Sequence, residues 1–239
     1  MNNNQLLMTK NFTRQEYYHK VSEGTGKISE DALAYSLRKD LSEGRILRVG
    51  WNRYSFQGAQ KIYTHKYSDE ACDVAQKIVT EYPGAEFQIF EIIQLNEFVN
   101  HLYAHNTVFI FVENSLIDYV FDSLRQPCFG RIMLKPNITD YYRYLADDQI
   151  VLLRLPSGSP KGIREKWQSR IEKILVDITV DKLISNIISE SEFEAIFQEA
   201  SERYFIDVKT MFSYARRKGA TVKLKQVLQK YATFLMEKK

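Results

Sequence analysis

SEDALAYSLRKDLSEGRILRVGWNRYSF, residues 29–56, is the stretch on which the fold turns. Ser29 suits a helix N-cap, because its hydroxyl can accept from a backbone amide of the first turn. Glu30 and Asp31 follow at the positive end of the helix dipole. Leu33, Leu37 and Leu41 recur every four residues and lay an apolar stripe along the predicted helix. Gly44 ends it. Residues 45–49 and 53–56 then read as two strands joined by the hairpin turn Gly50-Trp51-Asn52.

Upstream, Thr13-Arg14-Gln15-Glu16 matches the capping box and opens a preceding helix, which Gly24-Thr25-Gly26 breaks. Residues 3–9 form a weaker first helix. Three helices and a hairpin predict a winged helix-turn-helix over residues 1–58. In that fold the third helix enters the major groove of duplex DNA and the hairpin lies over the backbone or minor groove. With the leucines turned inward, the outer face of the third helix presents Asp31, Tyr35, Arg38, Lys39 and Ser42. Arg48, Trp51, Asn52 and Arg53 decorate the wing. Tyr35, Arg38, Lys39, Arg48, Trp51 and Arg53 are therefore the expected DNA contacts, the cations answering phosphate charge. A winged helix used for protein contacts is the alternative.

Beyond residue 58 the pattern changes. Strands are expected at 61–66, 86–90, 107–112, 131–135 and 149–155, with helices at 69–82, 95–103 and 116–125. Alternating strands and helices predict an α/β domain over 59–239. Pro156-Ser157-Gly158-Ser159-Pro160 is a loop. From about residue 161 the chain reads as helical, over 163–188, 190–204, 208–217 and 222–236. The fold class is mixed α and β, with a helical C-terminal end.

Charge is unevenly spread. Residues 1–60 carry nine lysines and arginines against six carboxylates, a net of +3. Residues 61–202 carry fourteen against twenty-two, and residues 203–239 ten against two. A basic head and tail around an acidic middle suit a nucleic-acid binder with a protein-facing region; a solvated tail helix gives the same pattern. Arg216, Arg217 and Lys218 end a predicted helix and form a candidate second basic contact, although helix-end cations are also favoured by the dipole.

Searches for chemistry end in exclusions. Glu23-Gly24-Thr25-Gly26-Lys27-Ile28 lacks the early glycine and final hydroxyl of a phosphate loop. His101 and His105 stand four apart on a predicted helix without a third metal ligand nearby. Glu86, Glu91 and Glu113 sit on or beside strands, but no carboxylate-x-Lys pair falls on a strand, as a metal-dependent nuclease requires. Gly158-Ser159 is not followed by the spaced carboxylates of a nucleotidyltransferase. Cys72 and Cys128 have no partner motif and read as reduced thiols, so the cytoplasm is the default compartment. No apolar run approaches the length of a membrane span, and Met1-Asn2-Asn3-Asn4-Gln5 lacks the basic-then-apolar layout of a signal peptide, so neither is expected. The expectation is a protein without catalytic residues, metal or cofactor.

The order of segments resembles a known family. The winged helix ends in Gly44-Arg45-Ile46-Leu47-Arg48-Val49-Gly50 with Tyr54 beyond, followed by Tyr82-Pro83-Gly84-Ala85-Glu86-Phe87. Then come Leu95-Asn96-Glu97-Phe98-Val99-Asn100-His101, Phe111-Val112-Glu113 and Val120-Phe121. Ile171-Glu172-Lys173-Ile174-Leu175-Val176-Asp177 and Tyr214-Ala215-Arg216-Arg217-Lys218 complete the series. Together they resemble a divergent branch of the AbiEi-like antitoxins of type IV toxin–antitoxin systems. The resemblance implies a regulator that binds operator DNA as an autorepressor. It also implies that the C-terminal domain counteracts a nucleotidyltransferase toxin, with or without a stable complex. DNA contact would fall to Tyr35, Arg38 and Lys39 and to the wing residues Arg48, Trp51 and Arg53. The Trp51-Asn52 wing tip departs from the family's plainer turn. Ile171, Ile174, Leu175 and Ile178 recur at helical spacing as core, leaving Glu172 and Lys173 for a solvated side. A stand-alone transcriptional regulator with a ligand-sensing α/β domain is the alternative, and pairing of two copies on an inverted repeat stays open.

Overall fold

In the computed structural model of the chain, which describes residues 12–25, 29–42, 46–56 and 61–237, Thr13 and Glu16 close the predicted reciprocal cap. The Thr13 amide donates to Glu16 Oε2 at 2.7 Å, and the Glu16 amide to Thr13 Oγ1 at 3.2 Å. Helix α1 (Arg14–Thr25) follows, then α2 (Glu30–Ser42), strand β1 (Ile46–Gly50) and strand β2 (Arg53–Phe56). Ser29 Oγ accepts from the Ala32 amide at 3.3 Å, the cap expected for α2. The first expected helix, residues 3–9, lies outside the described residues.

Tyr17, Leu37, Ile46 and Tyr54 form the core of this first unit, with Phe12, Tyr18, Val21 and Leu41 packed on it. Leu33 and Leu37 are buried and Leu41 is half-buried, so the predicted stripe faces inward. Phe12 adds a short third strand position: it exchanges two backbone hydrogen bonds with Tyr54, at 2.9 and 2.8 Å. Its ring also stacks on Tyr17 and Tyr54. The Tyr17 hydroxyl donates to Asp40 at 2.7 Å and ties α1 to α2.

The unit extends to Tyr63 and takes in Glu202–Asp207. The expected strand at 61–66 reduces to a single parallel bridge between Lys61 and Tyr204. A strand needs a regular neighbour, and among the described residues the backbone paired with Lys61 is the short stretch from Arg203 to Phe205.

The second unit, Thr64–Ser201 with the chain from Val208 onward, is built on a four-stranded sheet. Its strands are β3 (Phe87–Glu91), β4 (Thr107–Val112), β5 (Ile132–Leu134) and β6 (Gln149–Arg154), in the order β3-β4-β6-β5. β3 runs antiparallel to β4, whereas β4, β6 and β5 are parallel. Parallel neighbours need crossovers, supplied by α4 (Ile117–Arg125) and α5 (Ile138–Arg143). Ile89, Ile110, Val112, Ile150 and Leu152 face α3 (Asp69–Glu81) and α4, where Val74, Ile78, Val120 and Leu124 complete one core. Alternation turns Phe90, Phe109 and Phe111 to the other face, where they are also buried. Burial on both faces explains why residues 108–112 of β4 and 150–153 of β6 read as continuous apolar runs.

The remaining helices are α6 (Ile171–Val180), α7 (Ile184–Ile187), α8 (Phe193–Arg203), α9 (Val208–Arg217), α10 (Thr221–Tyr231) and α11 (Thr233–Glu237). The single helix expected at 163–188 is thus two helices preceded by irregular chain. Gln168 bridges Ile89 on β3, and the Trp167 carbonyl accepts the Ile89 amide at 2.8 Å, so the sheet edge captures backbone that helical periodicity had claimed. The helix expected at 190–204 opens as a 3₁₀ turn, and that at 222–236 breaks at Ala232. The helix expected at 95–103 is a 3₁₀ turn over Ile92–Glu97 followed by a loop. There the Asn96 side chain donates to the Tyr103 carbonyl at 3.1 Å and accepts its amide at 2.7 Å, a local competitor of helical bonding. α5, which no periodicity announced, is capped by Asn137 accepting from the Asp140 amide at 2.9 Å.

Candidate nucleic-acid interface

Tyr35, Arg38, Lys39 and Ser42 stand at i, i+3, i+4 and i+7 of α2 and so share one face. All four are exposed, and Tyr35 retains 65% of its surface. Arg38 Nε donates back to the Ala34 carbonyl at 3.3 Å. Glu30 and Asp31 are exposed at the amino end of the same helix, so the cationic character lies towards its carboxyl half.

On the hairpin, Arg48 pairs with Tyr54 and Gly50 with Arg53 in the register, with an irregularity between Arg48 and Gly50. Arg48 and Arg53 are exposed on either side of the turn, and Trp51 at its tip is 88% exposed. Asn52 adopts φ 52°, a left-handed conformation that asparagine tolerates and most residues do not. Its Oδ1 accepts the Arg14 amide at 3.2 Å. The tip is therefore tied to the start of α1 while its indole projects outward. All six expected contacts, Tyr35, Arg38, Lys39, Arg48, Trp51 and Arg53, lie on the surface of the first unit.

The second basic cluster divides. Arg216 and Arg217 are exposed at the end of α9, and Arg217 Nη1 donates to the Ser157 carbonyl at 3.1 Å. Gly158 sits against that guanidinium with φ 65°, where an added Cβ would overlap it. Lys218 does not join them. Its ammonium donates to Asp177 at 2.7 Å and to Asp181 at 2.8 Å, in a site that leaves the side chain 12% exposed. Two carboxylates satisfy its charge, which removes it from a surface contact.

Asp177 is the centre of this buried group. Besides Lys218 it accepts from Lys173 Nζ at 2.6 Å and from the Tyr214 hydroxyl at 3.0 Å. Lys173 lies over the Phe111 ring, 3.2 Å from its centroid. Glu172 is also buried and accepts two hydrogen bonds from Arg170, at 2.9 and 3.0 Å. Glu172 and Lys173 were expected on a solvated side; they point inward because α6 is covered on several sides, α7, α9 and α10 all packing on it. Burial alone would raise the Asp177 carboxyl, yet Lys173 and Lys218 outweigh it and hold the group below its ordinary value. Burial, opposed by Asp177, brings the Lys173 ammonium down to about 8. Burial also tends to lower Lys218, but Asp177 and Asp181 raise it above the usual lysine range. Burial and the Asp177 charge push the Tyr214 phenol well up.

A third buried carboxylate, Glu91, ends β3. It accepts from the Ser68 amide and hydroxyl at 3.0 and 2.6 Å and from Asn106 Nδ2 at 2.8 Å. His65 Nε2 stands 3.8 Å from it, without a hydrogen-bond partner, and burial lowers the imidazole against the pull of Glu91 and Glu97. Sequence reasoning assigned Glu91 no such role, since its partners come from distant positions.

Glu86 pairs with Lys161 at 2.6 Å, and Glu113 accepts the Glu86 amide at 2.9 Å. Glu91 closes the other end of β3, about 16 Å away at 3.3 Å per residue. His101 and His105 lie on a loop rather than a helix, and His105 pairs with Asp147 at 2.7 Å. Cys72 is exposed, Cys128 is buried, and both are free thiols. Among the described residues no group of three or more histidine, cysteine or carboxylate side chains stands together to hold a metal. Nor, among them, is any helix long and apolar enough to cross a membrane.

Two helices and a hairpin carrying cations on their outer surface, together with a four-stranded α/β unit, make this a mixed α and β protein. The chain belongs to the family DUF6577, a family of unknown function, which it matches over residues 32–233. No curated protein matches it. Among solved structures it is similar to the crystal structure of RV2827C protein from Mycobacterium tuberculosis at 10% identity, with a TM-score of 0.26. That similarity covers 92% of this chain and 76% of the other, and a likeness so low decides neither fold nor function.

Proposed function

We propose that the chain is a DNA-binding autorepressor and the antitoxin of a type IV toxin–antitoxin system, counteracting a nucleotidyltransferase toxin. The DNA half rests on one observation: Tyr35, Arg38 and Lys39 on one face of α2 and Arg48, Trp51 and Arg53 on the wing are all exposed. Their buried neighbours, Leu37, Ile46 and Tyr54, share a single core, so helix and hairpin are presented as one rigid element. Lysine and arginine on such an element neutralise phosphates, and the α2 side chains are in position to reach base edges in the major groove.

The antitoxin half rests on the segment order that resembles AbiEi-like proteins. Two of those segments, 171–177 and 214–218, meet through Asp177, Tyr214 and Lys218. The same resemblance implies a body without catalytic residues. The reading assigns the protein to the cytoplasm, where operator DNA and a co-expressed toxin would be met.

Two measurements test it. The chain should shift duplex DNA from immediately upstream of its own coding sequence, with log affinity falling linearly against log salt; absence of a shift at low salt removes the repressor. Co-expression should rescue growth from the nucleotidyltransferase encoded beside it. Failure of rescue at confirmed expression of both chains removes the antitoxin and leaves the repressor standing.

A further inference from the structure

Trp51 calls for an explanation that phosphate contact does not supply. An indole offers phosphate only one N–H donor, while its large apolar surface is left in water. At 88% it is the most exposed of the large hydrophobic side chains among the described residues. It is not on a loose loop. The turn that carries it is clamped on both sides: β1 and β2 pair behind it, and Asn52, in the left-handed conformation, accepts the Arg14 amide. Tyr54, one residue beyond Arg53, is buried and doubly bonded to Phe12. An apolar side chain held outward by a rigid turn is ordered before any ligand arrives, so burying it costs little conformational entropy.

Its neighbours say what the tip meets. Arg48 and Arg53 flank the indole on the two strands, and Arg38 and Lys39 lie exposed on α2 of the same unit. A cation pair around an apolar point fits a polyanion that has an apolar interior, which describes the edge of stacked bases between two phosphate backbones. Minor-groove proteins use that combination: cations on the backbone and an apolar side chain wedged at a base step, which unstacks it and bends the duplex.

We infer that Trp51 is an apolar wedge that enters the minor groove of duplex DNA at a base step and bends the duplex at that point. The inference rests on the DNA reading above and adds a mode of contact and a source of selectivity. Pyrimidine–purine steps unstack at least cost, so sites carrying such a step under the wing are preferred although no hydrogen bond reads them.

The test uses the full chain and a duplex of about two helical turns, roughly 20 base pairs at 10–10.5 per turn, from upstream of its own coding sequence, labelled at both ends for energy transfer. The wild-type chain should shorten the end-to-end distance on binding. Trp51→Ala should bind at least about tenfold more weakly and leave the duplex nearly straight, with the salt slope unchanged because the cations still neutralise the same phosphates. Trp51→Phe should retain part of the bend. Arg53→Ala should do the reverse, lowering the salt slope by about one while keeping the bend. In a Trp167→Phe background Trp51 is the sole indole, and its emission should be quenched by the duplex. A Trp51→Ala protein that binds and bends like wild type, or a Trp51 emission indifferent to bound duplex, overturns the wedge and leaves the cationic DNA grip intact. Absence of wild-type binding at low salt overturns both.

Discussion

Lys218 donates to Asp177 across 2.7 Å, joining residues 41 apart in the chain and the end of α9 to α6. Lys173, one turn before Asp177 on α6, donates to the same carboxylate from a site with no exposure. One buried anion thus stands between two ammonium groups, with Asp181 neutralising the second from outside. Such a group adds little net stability over an apolar core of equal volume, but breaking it strands a charge away from water.

Asp177→Asn should therefore destabilise the second unit by about 3–5 kcal/mol, since a buried Lys173 loses its counter-charge and Lys218 keeps only Asp181. Lys173→Met should cost less, because Asp177 retains Lys218 and Tyr214 and the methionine fills the space over Phe111. Urea denaturation of both variants checks the ranking.

His65 should make stability depend on pH in the mildly acidic range. Its folded value lies below the ordinary 6.5, so the unfolded chain takes up the proton first. Stability is then fully present above about 6.5 and falls as pH drops towards the lower folded value. Melting temperatures taken from mildly alkaline to mildly acidic pH should decline more for the wild type than for His65→Gln.

Gly158→Ala combines a left-handed backbone with an overlap on the Arg217 guanidinium. A loss of about 1–2 kcal/mol is expected from the backbone alone. Arg217→Ala, which only removes the bond to the Ser157 carbonyl, should be near neutral. Thermal melts of the two variants separate backbone strain from the missing hydrogen bond.

Arg38→Ala and Lys39→Ala should each weaken duplex binding without changing the fold, both side chains being exposed. For each phosphate that goes unneutralised, the slope of log affinity against log salt should fall by about 0.9. Arg216→Ala in the same titration tests whether the second unit also touches the duplex; an unchanged slope assigns binding to the first unit alone.

Much of the fold was legible because its signals are local. The Thr13–Glu16 cap, the leucine stripe of α2, the hairpin around Trp51-Asn52 and the buried strand β4 each depend on residues a few positions apart. The exposed face of α2 followed from the same periodicity, since turning Leu33 and Leu37 inward turns Tyr35, Arg38 and Lys39 out. What failed needed distant partners. Phe12 became a strand position only by meeting Tyr54, and residues 167–168 left the helix only because β3 offered a free edge.

Sequence alone determined which faces are apolar, where the turns fall and which cations the first unit displays, because propensity, capping and periodicity act within a turn or two. Only the tertiary structure decided the fate of individual charges. Lys218 and Arg217 are neighbours of equal charge at the end of one helix, yet one is drawn into a carboxylate pair and the other reaches a loop carbonyl. Lys173, in a stretch whose pattern left it a solvated side, is fully buried over Phe111 on a helix that three others cover. Burial and pairing are set by what packs across the chain, and hydropathy along it carries no record of that.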